Sequence, residues 1–150
     1  MSDLQLVNDR LNALIGNLSP SSRKEMARNI AKKLRASQQQ NIKRQQAPDG
    51  TPFKPRKAQP IRSKKGRVKR EMFAKLRTTK YLKARATSDE AVVEFAVNVQ
   101  RMVRVHQYGL RDRPSRRGKD VRYNARPLLG LSEENLNNIQ NAIVDYLSNS

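Results

Sequence analysis

The sequence contains no cysteine, no tryptophan and a single histidine, His106. The missing cysteines exclude disulfides, thiolate catalysis and thiolate zinc sites, and one histidine excludes a metal site built from several histidines. No apolar run approaches the roughly eighteen residues of a membrane helix, and acidic Asp3 and Asp9 stand where a secretory signal would be basic. The sequence therefore predicts a soluble, intracellular protein with no cofactor and no membrane partner.

Acidic residues are scarce as well, since 13 Asp and Glu face 32 Lys and Arg and the formal net charge is +19. The charge is uneven: residues 54–85 hold 14 basic residues and one acid, whereas residues 127–150 hold three acids and no base. Such asymmetry predicts an anionic partner, either nucleic acid or an acidic protein surface. A solvated face that keeps the protein soluble is a third interpretation, and composition does not separate the three.

Signatures of catalysis are missing from the sequence. It has no glycine-rich phosphate loop, no dinucleotide fingerprint and no histidine pair at metal-binding spacing. A turn and a helix start explain its two acidic pairs, Asp89-Glu90 and Glu133-Glu134. His106 has no Ser or Cys motif beside it, and no constellation of acids surrounds Glu94 as a nucleic-acid enzyme would need. The sequence therefore predicts a protein that is not an enzyme.

The spacing of apolar residues predicts an α+β fold in one domain, residues 1–150. A helical part, 3–45, contains one helix over Asp3–Asn17 and a second over Pro20–Gln45 with a narrow apolar stripe. A basic loop over 46–67 follows, because its turn signal Pro48-Asp49-Gly50 and several prolines oppose regular structure. The remaining elements are an α/β part, 68–131, and a C-terminal helix, 132–148.

Within the α/β part, the pattern predicts a short helix over Lys69–Thr78 and an antiparallel hairpin over about 80–97. Asn98 is a candidate N-cap for another short helix that ends at Gly109, and residues 111–122 form a second basic loop. Ser132 is the predicted N-cap of the C-terminal amphipathic helix, whose apolar stripe contains Leu136, Ile139, Ile143 and Leu147. Just before it, we expect Leu128, Leu129 and Leu131 to be buried and Gly130 to permit a close approach.

Four features, taken in order, resemble the virion morphogenesis family of contractile-tailed phages, whose members are tail completion proteins. They are the N-terminal helical region, the turn APDGTP at 47–52 followed by Phe53 and Pro55, HQYG at 106–109, and RPLLGLS at 126–132. The resemblance spans nearly the whole chain. The residues that carry it, with a structural role, are Pro48, Asp49, Gly50, His106, Gln107, Gly109, Arg126, Pro127, Leu128, Leu129, Gly130, Leu131 and Ser132.

The resemblance implies a structural virion protein, assembled in the host cytoplasm, that completes the tail at its head-proximal end and enables head–tail joining. It also implies an α+β fold and a homo-oligomeric ring, a hexamer when docked. The implied partners are further copies of the chain, the tail tube or terminator protein, and the head connector proteins. Genomic DNA in the channel is an alternative partner for the basic loops.

Two sets of residues are predicted to make these contacts. Apolar stripes that a small domain cannot bury alone are candidates for an oligomer interface, and they supply Leu4, Leu11, Ile30, Leu34, Val93 and Phe95. The basic loops supply the contacts to acidic partners or DNA: Lys54, Arg56, Lys57, Arg62, Lys64, Lys65, Arg67, Arg111, Arg113, Arg116, Arg117 and Lys119. The alternative function is a small basic nucleic-acid-binding protein; a ribosome-associated or chaperone-like protein is a further rival.

Overall fold

The computed structural model describes residues 3–55, 72–113 and 119–148. Four α-helices lie in these ranges, which are α1 Asp3–Gly16, α2 Pro20–Lys43, α3 Gln100–Tyr108 and α4 Glu133–Ser148. None of the described helices combines the length and apolar character that crossing a bilayer requires. Together with two small sheets, these helices confirm the predicted α+β class.

The described strands form two separate two-stranded sheets. Strands β1, Leu82–Ala86, and β2, Ala91–Phe95, pair as the predicted hairpin. The hairpin turn is closed by the Thr87 backbone, which donates to the Glu90 carbonyl, and by the Thr87 hydroxyl, which accepts from the Asp89 and Glu90 N–H groups. Strands β3, Arg111–Asp112, and β4, Val121–Arg122, form a shorter antiparallel ladder.

One compact unit contains residues 1–35, 84–93 and 132–150. Its core includes Met26, Ala27, Ile30 and Ala31, which are buried at the helical spacing of the predicted stripe on α2. Helix α1 packs against α4. The Tyr146 hydroxyl of α4 donates to the Glu25 carboxylate of α2 at 3.2 Å. The apolar spacing in the sequence thus predicted the helices that make up this unit.

A reciprocal cap starts helix α4. The Ser132 hydroxyl accepts from the Asn135 backbone N–H at 3.0 Å, and the Asn135 side-chain oxygen accepts from the Ser132 N–H at 3.1 Å. This satisfies two N–H groups that a helix start otherwise leaves unpaired, and it confirms Ser132 as the cap. Asn135, 4% exposed, was not predicted to take part.

The second unit contains residues 36–83 and 94–131. Its most deeply buried large side chains are Ile42, Leu82 and Leu128, from α2, β1 and the segment before α4. Phe53 and Val103 are buried in the same unit. Three stretches far apart in sequence therefore share this core.

Two predicted helix features are wrong. Ala74–Arg77 is a short 3₁₀-helix and not part of an α-helix over Lys69–Thr78, of which residues 69–71 lie outside the described ranges. Phe73 has a φ of 63°, a left-handed conformation that a right-handed helix cannot continue through. Asn98 lies inside a second 3₁₀-helix, Val97–Val99, and α3 starts after Val99 with no side-chain cap bond.

Three further expectations need correction. The basic segment 111–122 is not loop throughout, because its two ends pair as β3 and β4. Leu131 is 58% exposed instead of buried, and Leu129 is only half-buried; Leu128 alone of the three is fully enclosed, at 1%. Leu136 is 52% exposed, although its spacing places it within the α4 stripe.

Replacement of Gly109 by alanine is expected to destabilise the protein by about 2 kcal/mol or more. Gly109 has a φ of +66°, and a Cβ there would lie 2.8 Å from the Ala125 backbone nitrogen. Gly16→Ala is the matched control, since a Cβ at Gly16 meets nothing within 4 Å. Urea unfolding of both variants measures the difference, and equal midpoints would contradict the account.

Candidate partner-binding site

Gln107 joins helix α3 to the segment before α4. Its side-chain oxygen accepts from the Leu128 and Leu129 backbone N–H groups at 2.7 and 3.1 Å, and its amide nitrogen donates to the Leu129 carbonyl at 2.9 Å. The Gln107 side chain thus makes the hydrogen bonds that the backbone of a neighbouring strand would otherwise make with this segment. Two of the sequence features, HQYG and RPLLGLS, are therefore held together directly.

Gln38 makes the same kind of pairing with Gly130. Its amide nitrogen donates to the Gly130 carbonyl at 3.0 Å and its oxygen accepts from the Gly130 N–H at 3.3 Å. A Cβ on Gly130 would lie 3.0 Å from the Pro48 side chain, so the close approach predicted at this glycine is confirmed. RPLLGLS consequently contacts the turn APDGTP as well as α2.

Arg126 fixes the backbone at Lys54 and Pro55, just before residues 56–71, which are called the first basic segment; residues 111–122 are the second. Its guanidinium donates to the Lys54 carbonyl at 2.8 Å and to the Pro55 carbonyl at 3.1 Å, and its backbone N–H donates to the His106 carbonyl at 2.7 Å. The residue is only 7% exposed. The N–H donors of a planar guanidinium have a fixed geometry that matches two adjacent carbonyl groups. The paired bonds therefore restrict the backbone at Lys54 and Pro55.

Gln45 holds the other side of that segment. Its side-chain oxygen accepts from the Met72 N–H at 3.0 Å, and its amide nitrogen donates to the carbonyls of Met72 and Ile42 at 2.8 and 2.9 Å. Gln39 donates to the Arg77 carbonyl at 2.7 Å. Hydrogen bonds thus hold the backbone at Lys54 and Pro55 and again at Met72, on either side of residues 56–71.

Four rings follow one another through the second unit. Phe53 contacts Phe73 at a centroid distance of 5.7 Å, Phe73 contacts His106 at 4.9 Å, and His106 contacts Tyr123 at 4.9 Å. All three contacts are edge-to-face, which is a favourable arrangement for aromatic pairs. Phe53 and Phe73 flank the first basic segment, and Tyr123 follows the second. The bases of both segments are therefore joined through His106.

The turn over Pro48–Gly50 is confirmed. The Gly50 N–H donates to the Ala47 carbonyl at 2.9 Å, and the Asp49 carboxylate accepts from the Thr51 N–H at 2.9 Å. The bond from the Thr51 backbone, followed by one from its side chain, lowers the pKa of Asp49. The Asp49 charge therefore stabilises the turn fully above the ordinary pKa of an Asp carboxyl, and this contribution is lost as the pH falls from there through the lowered pKa.

The second basic segment has a defined base. Beyond the β3–β4 ladder, the Tyr123 N–H donates to the Leu110 carbonyl at 3.1 Å. Arg113 pairs with Asp120 at 3.2 Å, and both side chains are largely exposed. Arg101 of α3 pairs with Asp112 at 2.9 Å. Exposed pairs of this kind contribute less than about 1 kcal/mol, so the backbone ladder and Tyr123 define the base more than the ion pairs do.

The predicted basic contacts are only partly described. Lys54, Arg111, Arg113 and Lys119 are exposed and lie at the bases of the two segments. The other predicted contacts lie outside the described residues: Arg56, Lys57, Arg62, Lys64, Lys65, Arg67, Arg116 and Arg117. The described cations thus lie at the bases of the two segments, and the four rings connect these bases.

The predicted interface residues divide into two groups. Ile30 and Phe95 are 8% and 3% exposed within their own chain, so a second copy would have almost no side-chain area to cover there. Leu11, Leu34 and Val93 are partly exposed. Leu4 is in α1, but its side chain lies outside what the structure describes. Ile30 and Phe95 therefore belong to the core within the chain.

Sequence reasoning missed the glutamine pairings, although one signal was present. Ile30, Leu34 and Ile42 are spaced by multiples of four, and Gln38 occupies the missing position of the series. A polar residue within an apolar stripe indicates a buried hydrogen-bonding role, and Gln38 is 3% exposed. No comparable signal identified Gln45, which has a left-handed φ of 56° just after α2. Among the described residues, no group of three or more His, Cys, Asp or Glu side chains could hold a metal ion.

Comparison with known proteins gives two matches. A sequence model described as the phage virion morphogenesis family matches residues 2–148. The chain is also 44% identical over 148 residues to the tail completion protein S of Escherichia phage P2, an alignment that covers 98% of this chain and 99% of that protein. No solved structure matches the chain. Both matches span all four helices and both basic segments.

Replacement of Gln107 by methionine is expected to cost about 2 kcal/mol of unfolding free energy. Methionine preserves side-chain length and helix propensity but leaves the Leu128 and Leu129 backbone groups without their partner. Gln40→Met, at an exposed position of α2, is the control and should change stability by less than about 0.5 kcal/mol. Urea unfolding compares them; similar effects at both positions would show that the pairing contributes little.

Proposed function

Because the chain belongs to the phage virion morphogenesis family, we propose that it completes the phage tail at its head-proximal end and enables joining to the filled head. The observation that carries the proposal is the full-length match to a protein named for tail completion, at 44% identity. The role is structural and requires no catalytic step. The protein is then a component of the virion tail, assembled in the host cytoplasm.

Such a position requires contacts on two sides. On the tail side the partner is the tail tube or terminator protein, and on the head side it is the connector. Both kinds of partner present large protein surfaces. Exposed charged residues can bind such surfaces when the backbone that carries them is held in place. The pairings of Arg126 and Gln45 supply such a base for the first basic segment, because they fix the backbone on both sides of it.

The proposal includes a homo-oligomeric ring, hexameric when docked on the tail. Helix α1 supports it, since Leu6 and Leu14 are 49% and 51% exposed on a helix of one small unit. A neighbouring copy that covered these two side chains would remove further apolar area from water. The contact residues proposed for the ring are Leu4, Leu11 and Leu34 of the N-terminal helices and Val93 of the hairpin.

For the basic segments, acidic protein neighbours are proposed in preference to DNA. Tight binding of DNA along a channel would add friction to its passage and retard ejection. Lys54, Arg111 and Arg113 at the described bases would then meet carboxylates of the tube or connector. Steering by opposite charge accelerates such docking and fixes its orientation.

Deletion of the gene tests the proposed role. The expected result is normal filled heads beside unjoined or overlong tails in electron micrographs of lysates, and infectious titre should return when an intact copy is supplied on a plasmid. The same plasmid carrying a stop codon in the gene is the control.

Normal tails joined to heads in the deletion strain would contradict the proposal. Under that outcome, micromolar binding of the purified protein to duplex DNA without binding to tail tubes would support a nucleic-acid-binding protein. Binding should be compared at the same ionic strength, because both interactions are charge driven.

A further inference from the structure

Helix α3 presents a row of charged and aromatic residues to solvent. Arg101, Arg104 and Tyr108 are spaced by three and four residues, which places them along one side of the helix. All three are exposed, with Tyr108 at 67% and the Arg101 side chain at 86% although it bonds to Asp112. Val97, just before the helix, is 84% exposed. These four residues are called the α3 surface.

Helix α4 presents a surface of the opposite charge. Glu134 and Asp145 are exposed and, eleven residues apart, lie on the same side of the helix; Val144, which is 44% exposed, directly precedes Asp145. The helix contains no Lys or Arg. These three residues are called the α4 surface. It combines apolar area with negative charge, whereas the α3 surface combines apolar area with positive charge.

The position of Asp145 in helix α4 is unfavourable for an acidic residue. It lies in the last turn of α4, where the helix dipole favours positive charge, so a carboxylate there is unfavourable for the helix itself. The acids at the start of α4 differ, because Glu133 and Glu134 are favourable to the dipole. An external cation would stabilise the Asp145 carboxylate.

We propose that the α3 surface of one copy binds the α4 surface of the next copy. The proposal rests on the homo-oligomeric state proposed above and adds a pair of charged helix surfaces to the apolar contacts proposed there. Copies with a net charge of +19 repel one another, so association requires a place where acid meets base. Tyr and Arg are also among the residue types that are enriched where binding energy concentrates at protein interfaces. Two different surfaces in contact give a head-to-tail interface, which closes into a ring when the rotation permits.

The absence of cysteine makes a direct test available. Two full-length variants, Tyr108→Cys and Val144→Cys, are given different tags and expressed together in phage-producing cells that lack the gene. Tails are purified and treated with a short bis-maleimide reagent. The expected product is a dimer carrying both tags, with a yield about tenfold above that of a control pair, Gln40→Cys with Val144→Cys. Both substitutions are at exposed positions, where changes rarely affect folding.

Two results would overturn the interface while leaving the proposed function intact. One is tails that contain both tagged chains but give no mixed dimer above the control. The other is a dimer of Tyr108→Cys chains with each other as abundant as the mixed dimer, which indicates a face-to-face contact. Failure of the proposed function would look different, since the deletion strain would then form joined tails without either chain.

Charge reversal provides an independent readout. Arg104→Glu and Asp145→Arg should each lower the cross-linking yield by about two- to fivefold, the range measured for exposed ion pairs. The two changes carried by the same chain restore opposite charges at every contact of the ring, so the yield should recover. Equal or additive loss in the double variant would contradict a charge-paired interface.

Discussion

The second structural unit depends on pairing between side-chain amides and distant backbone. Gln107 and Gln38 satisfy the peptide groups of residues 128–130, and these contacts hold a segment with no regular secondary structure against α3 and α2. Buried peptide groups must be paired, and the short sheets of this chain cannot provide enough partners. Glutamine is long enough to reach across from a helix, and it offers both a donor and an acceptor.

The same principle connects the fold to the proposed role. Arg126 and Gln45 fix the two sides of the first basic segment, and the ring series through His106 links it to the base of the second. The motifs that carry the family resemblance therefore act as a scaffold, and the exposed charged residues at the two bases are the proposed partner contacts.

Local sequence signals predicted the four α-helices of the described residues, the hairpin, the Ser132 cap and the turn at Pro48–Gly50, since each depends on contacts within a few residues. They failed where distant contacts override local preference. Phe73 takes a left-handed conformation beside Met72, which Gln45 holds from another part of the chain, and the ends of the second basic segment pair despite their charge. The family resemblance supplied the functional prediction, because surface charge alone was compatible with nucleic acid, acidic protein or solvent. The sequence did not predict the glutamine pairings. The one indication was Gln38, a polar residue within the apolar stripe of α2.

The central claim is that several copies of this chain close the tail at the end that meets the head. A cryo-electron microscopy reconstruction of the head–tail junction in intact particles tests it most directly. The account predicts a ring of identical copies between the tail tube and the connector, with four helices and two small sheets recognisable in each copy. A single copy per tail, or no copy at the head-proximal end, would contradict it.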